Sequence, residues 1–181
     1  MGIAQEIVEL FSLRGDSEYG GEPVTQLEHA LQCAELADRE KSTDALVVAA
    51  LLHDIGHLLH DLPIDAPDQG IDDKHEKSGF YYLQKNFPAE VFEPVRLHVA
   101  AKRYLCAVDD AYFSLLSQPS VVSLELQGGK MSQQECQAFE GNPHYNAAVR
   151  LRRWDDTAKD PEARPPAISS YVERIERVGL K

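Results

Sequence analysis

The stretch STDALVVAALLHDIGHLL, residues 42–59, decides the fold of this chain. Apolar side chains cover nearly every face of it, which is typical of a helix buried at the centre of a domain. Its first three residues supply candidate N-caps, so the pattern predicts a helix over Ala45 to Leu59. The polar residues His53, Asp54 and His57 are costly to bury unless they are paired or bind a metal ion. A His-Asp doublet beside a second histidine therefore favours metal binding over hydrogen-bonded core histidines.

Helical patterns lie on both sides of this segment. Thr25-Gln-Leu-Glu28 has the sequence of a capping box and opens a helix whose apolar residues recur at helical spacing. Ser120 to Leu126 shows a weak strand-like alternation, and Gln127-Gly-Gly129 indicates a turn. The sequence therefore predicts an all-α fold, a compact helical bundle in one domain over residues 1–181. The other predicted helices run from about Asp73 to Asn86, from Pro88 to about Cys106, within 108–120, and from Asn142 to Ala158.

Composition excludes several classes of partner. The net charge is −12 over 181 residues, which argues against nucleic acid because phosphate contacts need clustered Lys and Arg. The longest apolar run, residues 45–52, is too short to span a bilayer. The N-terminus lacks the basic flank and apolar stretch of a secretory signal. Three scattered cysteines without a CxxC pair fit a reducing cytosol, so we expect a cytoplasmic protein that does not bind membranes.

Four more residues are candidate ligands only in combination with the His-Asp doublet. His29 and His75 fall on predicted helices, and His98 shares a helical face with Lys102. Taken singly, each histidine is more often a core or surface residue than a ligand. Asp155 follows Arg152 by three residues, so taken alone it is better interpreted as half of a surface ion pair. Two other histidines lie in polar stretches and are expected to face solvent: His60 and His144.

In chain order these residues resemble the H…HD…H…D arrangement of the HD-domain superfamily. The additional His75 is the feature of its dinuclear members. Within the superfamily the chain resembles the diiron organophosphonate oxygenases of the PhnZ and TmpB type, from about Glu18 to Lys159. The most specific matching string is HVAAKRYL, residues 98–105, and Gln127-Gly-Gly129 and Trp154-Asp155 match as well.

The resemblance implies a ligand for every position of a diiron site. It places Asp54 as the bridge between a first iron and a second iron, in a mixed-valence Fe(II)/Fe(III) pair with O2 as co-substrate. Mixed imidazole and carboxylate ligands suit iron or manganese better than calcium. The implied ligands are His29, His53, Asp54 and Asp155 for the first ion, and Asp54, His75 and His98 for the second.

The same resemblance implies the substrate contacts. Tyr19 would cover the open iron position until substrate arrives, with Glu22 as its partner. Lys102 lies one turn beyond His98, which independently points its ammonium towards the metals, and a lysine is a suitable partner for a dianionic phosphonate. Tyr19, Glu22 and Lys102 are expected to serve in catalysis as well as in binding. The implied phosphonate-binding residues are His57, Lys102, Ser120 and Gln127.

The implied reaction belongs to phosphonate catabolism and is an oxidative cleavage of a carbon–phosphorus bond. A 1-hydroxyphosphonate would yield phosphate and a carboxylic acid. The acid is glycine betaine from 1-hydroxy-2-(trimethylammonio)ethylphosphonate and glycine from 2-amino-1-hydroxyethylphosphonate. We favour the N-methylated substrate slightly, on the hypothesis that acidic residues near the site bind its cation. The candidate carboxylates are Asp68, Asp72, Asp73 and Glu22.

Three other functions remain open from the sequence. An HD-type metal-dependent phosphohydrolase of a nucleotide or phosphate ester would use the same ligands with a metal-bound hydroxide. An enzyme similar to inositol oxygenase would share the six ligands but act on a polyol, whereas Lys102, Ser120 and Gln127 favour an anion. A regulatory module with a vestigial site is disfavoured because every expected ligand is present.

Overall fold

The structure, a computed structural model, describes residues 2–59 and 74–180. Within those ranges the chain is helical without a β-strand, and its one extended pairing is an isolated bridge between Glu18 and Thr25. The all-α prediction is therefore confirmed. The helices are α1 (Ile3–Arg14), α2 (Gln26–Arg39), α3 (Asp44–Leu52), α4 (His75–Leu83), α5 (Ala89–Val108), α6 (Asp110–Leu115), α7 (Gln118–Leu126), α8 (Gln133–Glu140), α9 (Tyr145–Thr157) and α10 (Val172–Val178).

The central helix α3 is buried on all sides, as its sequence predicts. Thr43 is the N-cap, and its hydroxyl accepts a hydrogen bond from the Leu46 N–H at 3.3 Å. Every residue from Leu46 to Leu52 is buried. Helices α2, α5, α9 and α10 pack around α3, and their apolar side chains form one continuous core with it. Burial of this core is the main force that holds the helices together.

The predicted helix over Ala45 to Leu59 is wrong in its second half. The α-helix ends at Leu52, and Ile55–Leu59 forms a 3-10 helix after a turn at His53 and Asp54. Neighbouring residues of a regular α-helix point about 100° apart, so the doublet could not face one site from an unbroken helix. The break frees Asp54 from the helical repeat.

Other boundaries differ from the predictions in instructive ways. The Thr25 capping box is present in full. The weak strand signal over residues 120–126 is wrong, because Ser117 caps α7 and its side chain accepts from the Ser120 N–H. The predicted turn at Gln127 is confirmed by positive φ angles at Gly128 and Gly129. Helices α1, α8 and α10 were absent from the prediction, and the predicted loop around residues 63–73 lies outside the described residues.

In the part of the chain that the structure describes, no helix is both long and apolar enough to cross a membrane. Cys33, Cys106 and Cys136 are all free thiols.

The close approach between Gly56 and α4 fixes where the first residue of α4 lies. A Cβ atom at Gly56 would lie 2.0 Å from the backbone oxygen of His75. We therefore predict that Gly56→Ala lowers the free energy of unfolding by about 2–3 kcal/mol, because backbone must move to relieve the overlap. Urea unfolding measures this change. Gly141→Ala is the matched control, since its Cβ would meet nothing closer than 3.4 Å, and an equal loss in both variants would contradict the prediction.

Candidate metal centre

Six polar side chains converge beneath the end of α3. His29 comes from α2, His53 and Asp54 from the turn after α3, and the other three from separate helices. All six are buried, with between 0 and 8% of each residue exposed. Burial of so many ionisable groups is unfavourable unless they satisfy one another or bind an ion. The remaining members are His75 at the start of α4, His98 in α5 and Asp155 in α9.

Backbone carbonyl groups fix the orientation of three of the four imidazoles. The Nδ1 atom of His29 donates to the Ala158 carbonyl at 2.8 Å, and those of His53 and His98 donate to carbonyls one turn earlier in the chain, at 2.9 and 2.7 Å. A carbonyl oxygen only accepts, so Nδ1 carries the proton in each neutral ring. The Nε2 lone pairs are therefore directed into the cluster, which is the usual arrangement of histidine ligands in metal sites.

The Nε2 atoms of the four histidines lie in two close pairs. The Nε2 atoms of His29 and His53 are 3.1 Å apart, and while both rings are neutral their protons lie at Nδ1, so neither Nε2 atom can donate to the other. The Nε2 atoms of His75 and His98 form a second pair, also 3.1 Å apart. Each pair converges on one point, as ligands of one ion do.

Asp54 lies between the two pairs and presents one oxygen to each. Its Oδ2 atom is 3.2 Å from His53 and 3.7 Å from His29. Its Oδ1 atom is 3.4 Å from both His75 and His98, yet it is buried and makes no hydrogen bond to any described residue. A carboxylate placed in this way is suited to bridge two cations.

Asp155 completes the first position and is held there by an arginine. Its Oδ1 atom lies 3.5 Å from the Nε2 atom of His29, and its Oδ2 atom accepts from Arg152 at 2.7 Å. Arg152 also pairs with Asp156, and it donates to the Tyr112 hydroxyl at 3.1 Å. Arg152 thereby compensates one buried carboxylate and fixes the direction of the oxygen that faces His29.

The pKa values show how strongly the cluster attracts positive charge. Burial alone would lower the pKa of His53, but the carboxylates of Asp54 and Asp155 outweigh it and raise the pKa to about 10. Burial opposes ionisation of Asp155, yet Arg152 and the neighbouring histidines hold its pKa well below the usual range. The cluster thus keeps two carboxylates ionised and draws a proton onto an imidazole, the demand that a bound cation would meet.

The donor set fits two metal ions. Ligand atoms of His29, His53, Asp54 and Asp155 lie within 4.8 Å of one another, enough for a four-ligand position. The ligand atoms of Asp54, His75 and His98 lie on one side of the second position. His57 also reaches it, since its ligand atom lies within 4.8 Å of those of Asp54 and His75, and its ring stacks on His75 with centroids 4.0 Å apart. Imidazole and carboxylate together suit zinc, iron or manganese, and few protein ligands leave room for substrate.

Tyr19 closes the first position on its outer side. Its ring stacks on His29 with centroids 3.8 Å apart, and its hydroxyl donates to Asp155 at 3.2 Å. Burial, Asp155 and Asp54 raise the pKa of Tyr19 well above its ordinary value, so the phenol keeps its proton here. Tyr19 and Glu22 belong to one turn, because the Glu22 N–H donates to the Tyr19 carbonyl at 2.8 Å.

Of the predicted phosphonate residues, Lys102 lies on α5, Ser120 on α7 and Gln127 directly after α7. The fourth, His57, lies in the 3-10 helix beside His75. Lys102 is buried, one turn after His98, and donates to Ser123 at 2.7 Å. Burial and Arg152 lower the pKa of Lys102 to about 7. Ser120 is buried, and the buried Oε1 atom of Gln127 has no hydrogen-bond partner among the described residues.

Sequence reasoning missed one residue here, Lys159. It donates to Glu22 at 2.7 Å and to Ser120 at 3.1 Å. Its spacing of four residues after Asp155 was the available signal, but the chain leaves α9 before it. Of the histidines expected to face solvent, His144 is partly exposed before α9 and outside the cluster. The other lies outside the described residues together with three acidic candidates: His60, Asp68, Asp72 and Asp73.

Comparisons with known proteins agree with this geometry. The model of the HD domain matches residues 26–135. A 1-hydroxy-2-(trimethylamino)ethylphosphonate dioxygenase (glycine-betaine-forming) of Leisingera caerulea is 40% identical over 97% of this chain and 90% of its own. A hydroxymethylphosphonate dioxygenase of Gimesia maris is 45% identical over 95% of this chain and 87% of its own. The uncharacterized protein L432 of Acanthamoeba polyphaga mimivirus is 36% identical over 84% of this chain and 71% of its own.

A bound metal should stabilise the fold, because the cluster does not exist in the unfolded chain. We predict that Fe(II) or Mn(II) raises the melting temperature of chelator-treated protein. The free energy of unfolding should rise by about 4 kcal/mol when the metal exceeds its Kd a thousandfold. Asp54→Asn should lose most of this gain, since it removes the charge between the two positions. Anaerobic thermal melts with and without metal measure it.

The control for this experiment is Glu176→Gln, an equivalent change at an exposed position of α10. It should keep the full metal response. A melting temperature that is the same with and without metal in the unaltered protein would contradict the metal centre.

Proposed function

The chain belongs to the HD-domain family and is related over nearly its whole length to hydroxyphosphonate dioxygenases, and we propose that it oxidatively cleaves the carbon–phosphorus bond of a 1-hydroxyphosphonate. The observation that carries the proposal is Asp54, whose two oxygens each face a separate pair of histidine nitrogens. This arrangement provides for two ions with substrate beside them, which a diiron oxygenase needs. A two-metal phosphohydrolase would need the same, and the relatedness to dioxygenases favours the oxygenase.

We propose iron for both positions, as a mixed-valence Fe(II)/Fe(III) pair with His29, His53, Asp54 and Asp155 on one ion and Asp54, His75 and His98 on the other. When bound, such a pair supplies redox chemistry with O2 and Lewis acidity towards the hydroxyl and phosphonate oxygens. Overall, one 1-hydroxyphosphonate and one O2 give a carboxylate, phosphate and a proton. The C–P bond breaks, C1 is oxidised from alcohol to acid, and O2 is the four-electron oxidant.

The protein's own residues position the reactants. Lys102, Ser120 and Gln127 bind the phosphonate oxygens: the ammonium as a cation, the hydroxyl and the amide as hydrogen-bond donors. Tyr19 covers the first position and keeps water from it until substrate enters, and Glu22 holds the turn that carries Tyr19. Arg152 maintains the direction of Asp155 throughout.

The substituent on C1 is the part of the substrate that varies between the two named relatives. One acts on a trimethylamino compound and the other on hydroxymethylphosphonate, which has no substituent there. The constant part is a hydroxyl and a phosphonate on one carbon, so we propose that the site described above binds these two groups.

For a cationic substituent, an open acidic cleft of about 510 Å³ adjoins the Tyr19 turn, and its lining includes Asp16, Glu18, Glu22 and Glu28. We propose the trimethylammonio and 2-amino compounds as substrates on that ground.

Aerobic incubation of the iron-loaded protein tests the proposal. We expect phosphate release matched one to one by O2 uptake with 1-hydroxy-2-(trimethylammonio)ethylphosphonate, 2-amino-1-hydroxyethylphosphonate or hydroxymethylphosphonate. Asp54→Asn should reduce the rate at least about 100-fold, the scale expected when a group that organises a metal pair is lost. Phosphate release from ordinary phosphate esters without O2 uptake would contradict the oxygenase and support a phosphohydrolase.

Phosphonate binding should weaken as the pH rises above about 7. The pKa of Lys102 is about 7 before binding, and a dianion beside the ammonium raises it, so binding takes up a proton between the two values. The affinity of the unaltered protein for methylphosphonate should then fall with pH more steeply than that of Lys102→Met, by up to about tenfold per pH unit. In Lys102→Met only the ligand itself ionises. Calorimetric titrations from pH 7 to 9 measure this difference, and parallel curves for the two proteins would contradict the role of Lys102.

A further inference from the structure

Lys159 is a largely but not fully buried cation at the junction of the Tyr19 turn and helix α7. Its side chain is 13% exposed, and that of its partner Glu22 is 10% exposed. The Nζ atom donates to Glu22 at 2.7 Å and to the hydroxyls of Ser117 and Ser120 at 3.1 Å each. An ammonium has three donors, and here all three are used.

These contacts bring Lys159 to Ser120, one turn along α7 from the residue that Lys102 contacts. Lys102 donates to Ser123, and the Ser123 hydroxyl donates in turn to the backbone oxygen of Ser120 at 3.2 Å. Lys159 meets the side chain of the same Ser120. Serines one turn apart on α7 therefore contact two ammonium groups, one on α5 and one just after α9.

The charge of the expected ligand indicates a role for Lys159. A phosphonate dianion carries two negative charges, and Lys102 supplies one cation whose burial weakens its charged form. The chain as a whole carries a net charge of −12, so its outer field repels such an anion. A second cation beside Ser120 would offset both effects. In this structure the Lys159 ammonium is paired with the Glu22 carboxylate, which is an anion like the expected ligand.

We propose that Lys159 is a further phosphonate-binding residue, and that the arriving phosphonate displaces Glu22 from it. This inference rests on the proposed function. A phosphonate oxygen takes the place of the Glu22 carboxylate on the Lys159 ammonium, next to Ser120. Ser117 loses the same partner, because its hydroxyl donates to Glu22 at 2.5 Å.

Displacement of Glu22 reaches Tyr19 through the backbone. The Glu22 N–H donates to the Tyr19 carbonyl at 2.8 Å, and the Tyr19 N–H donates to the Val24 carbonyl at 3.0 Å, so the two residues move as one turn. Release of Glu22 thereby loosens the turn that keeps the Tyr19 ring on His29. Lys159 couples anion binding to opening of the first metal position.

Binding of methylphosphonate to the metal-loaded protein, measured by calorimetry, tests the inference without turnover. Lys159→Met should weaken binding about 10- to 100-fold, the range for a lost hydrogen bond to a charged group. Glu22→Gln should tighten it several-fold, because the competing carboxylate is gone. Lys85→Met, at an exposed position of the chain, is the control and should bind as the unaltered protein does.

The double variant Lys159→Met/Glu22→Gln separates ligand binding from a structural ion pair. If Lys159 binds the phosphonate, the double variant stays as weak as Lys159→Met. If Lys159 serves only to neutralise Glu22, the double variant returns to the affinity of the unaltered protein, and the inference is overturned. Should Lys159→Met fail to fold, as judged by its thermal melt, Glu22→Gln alone decides: unchanged or weaker binding overturns the exchange.

The outcomes also separate this inference from the proposed function. Loss of methylphosphonate binding in Lys159→Met, together with no O2 uptake from any hydroxyphosphonate, would keep the anion site and reject the oxygenase. Oxidative turnover with undiminished methylphosphonate binding in Lys159→Met would keep the oxygenase and reject the role of Lys159.

Discussion

The position of the Asp54 carboxylate between two pairs of histidine nitrogens is the constraint on which the rest of the structure depends. A buried carboxylate is stable only where cations or donors surround it, and Asp54 has one oxygen without a hydrogen-bond donor. Each surrounding imidazole comes from a different element, so the fold must bring α2, α4 and α5 to the end of α3. The other helices pack around the buried helix α3, and this packing brings the ligands together.

Charge is arranged in layers around this centre. The ligands form an anionic, electron-rich interior that attracts cations, and Arg152 balances the one carboxylate that lies farther out. Beyond them, Lys102 and Lys159 each contact a serine of α7, where an anionic ligand is expected. The chain as a whole carries a net charge of −12, so its outer field disfavours anions. In the proposed function, direct contacts rather than a long pathway link metal binding, anion binding and the Tyr19 turn.

Much of this could be predicted from the sequence, because the decisive signals are local. The apolar stretch of α3 and the Thr25 capping box carry their own structure, and the order of His and Asp residues resembles a known family. The 3-10 turn after Leu52 could not be predicted, since it depends on the contact between Gly56 and the backbone of His75. Helix α7 was mistaken for a weak strand because nine residues with little periodicity leave the choice to capping and packing. Lys159 escaped notice because its partners are distant in sequence.

The most direct test of the account is to count the metal ions and measure the distance between them. Anaerobically iron-loaded protein should contain two iron ions per chain, with iron–iron scattering in X-ray absorption at about 3.5–4 Å, as in other paired sites. Asp54→Asn should lose that scattering. One ion per chain with no metal–metal scattering in the unaltered protein would contradict the claim that Asp54 bridges a pair.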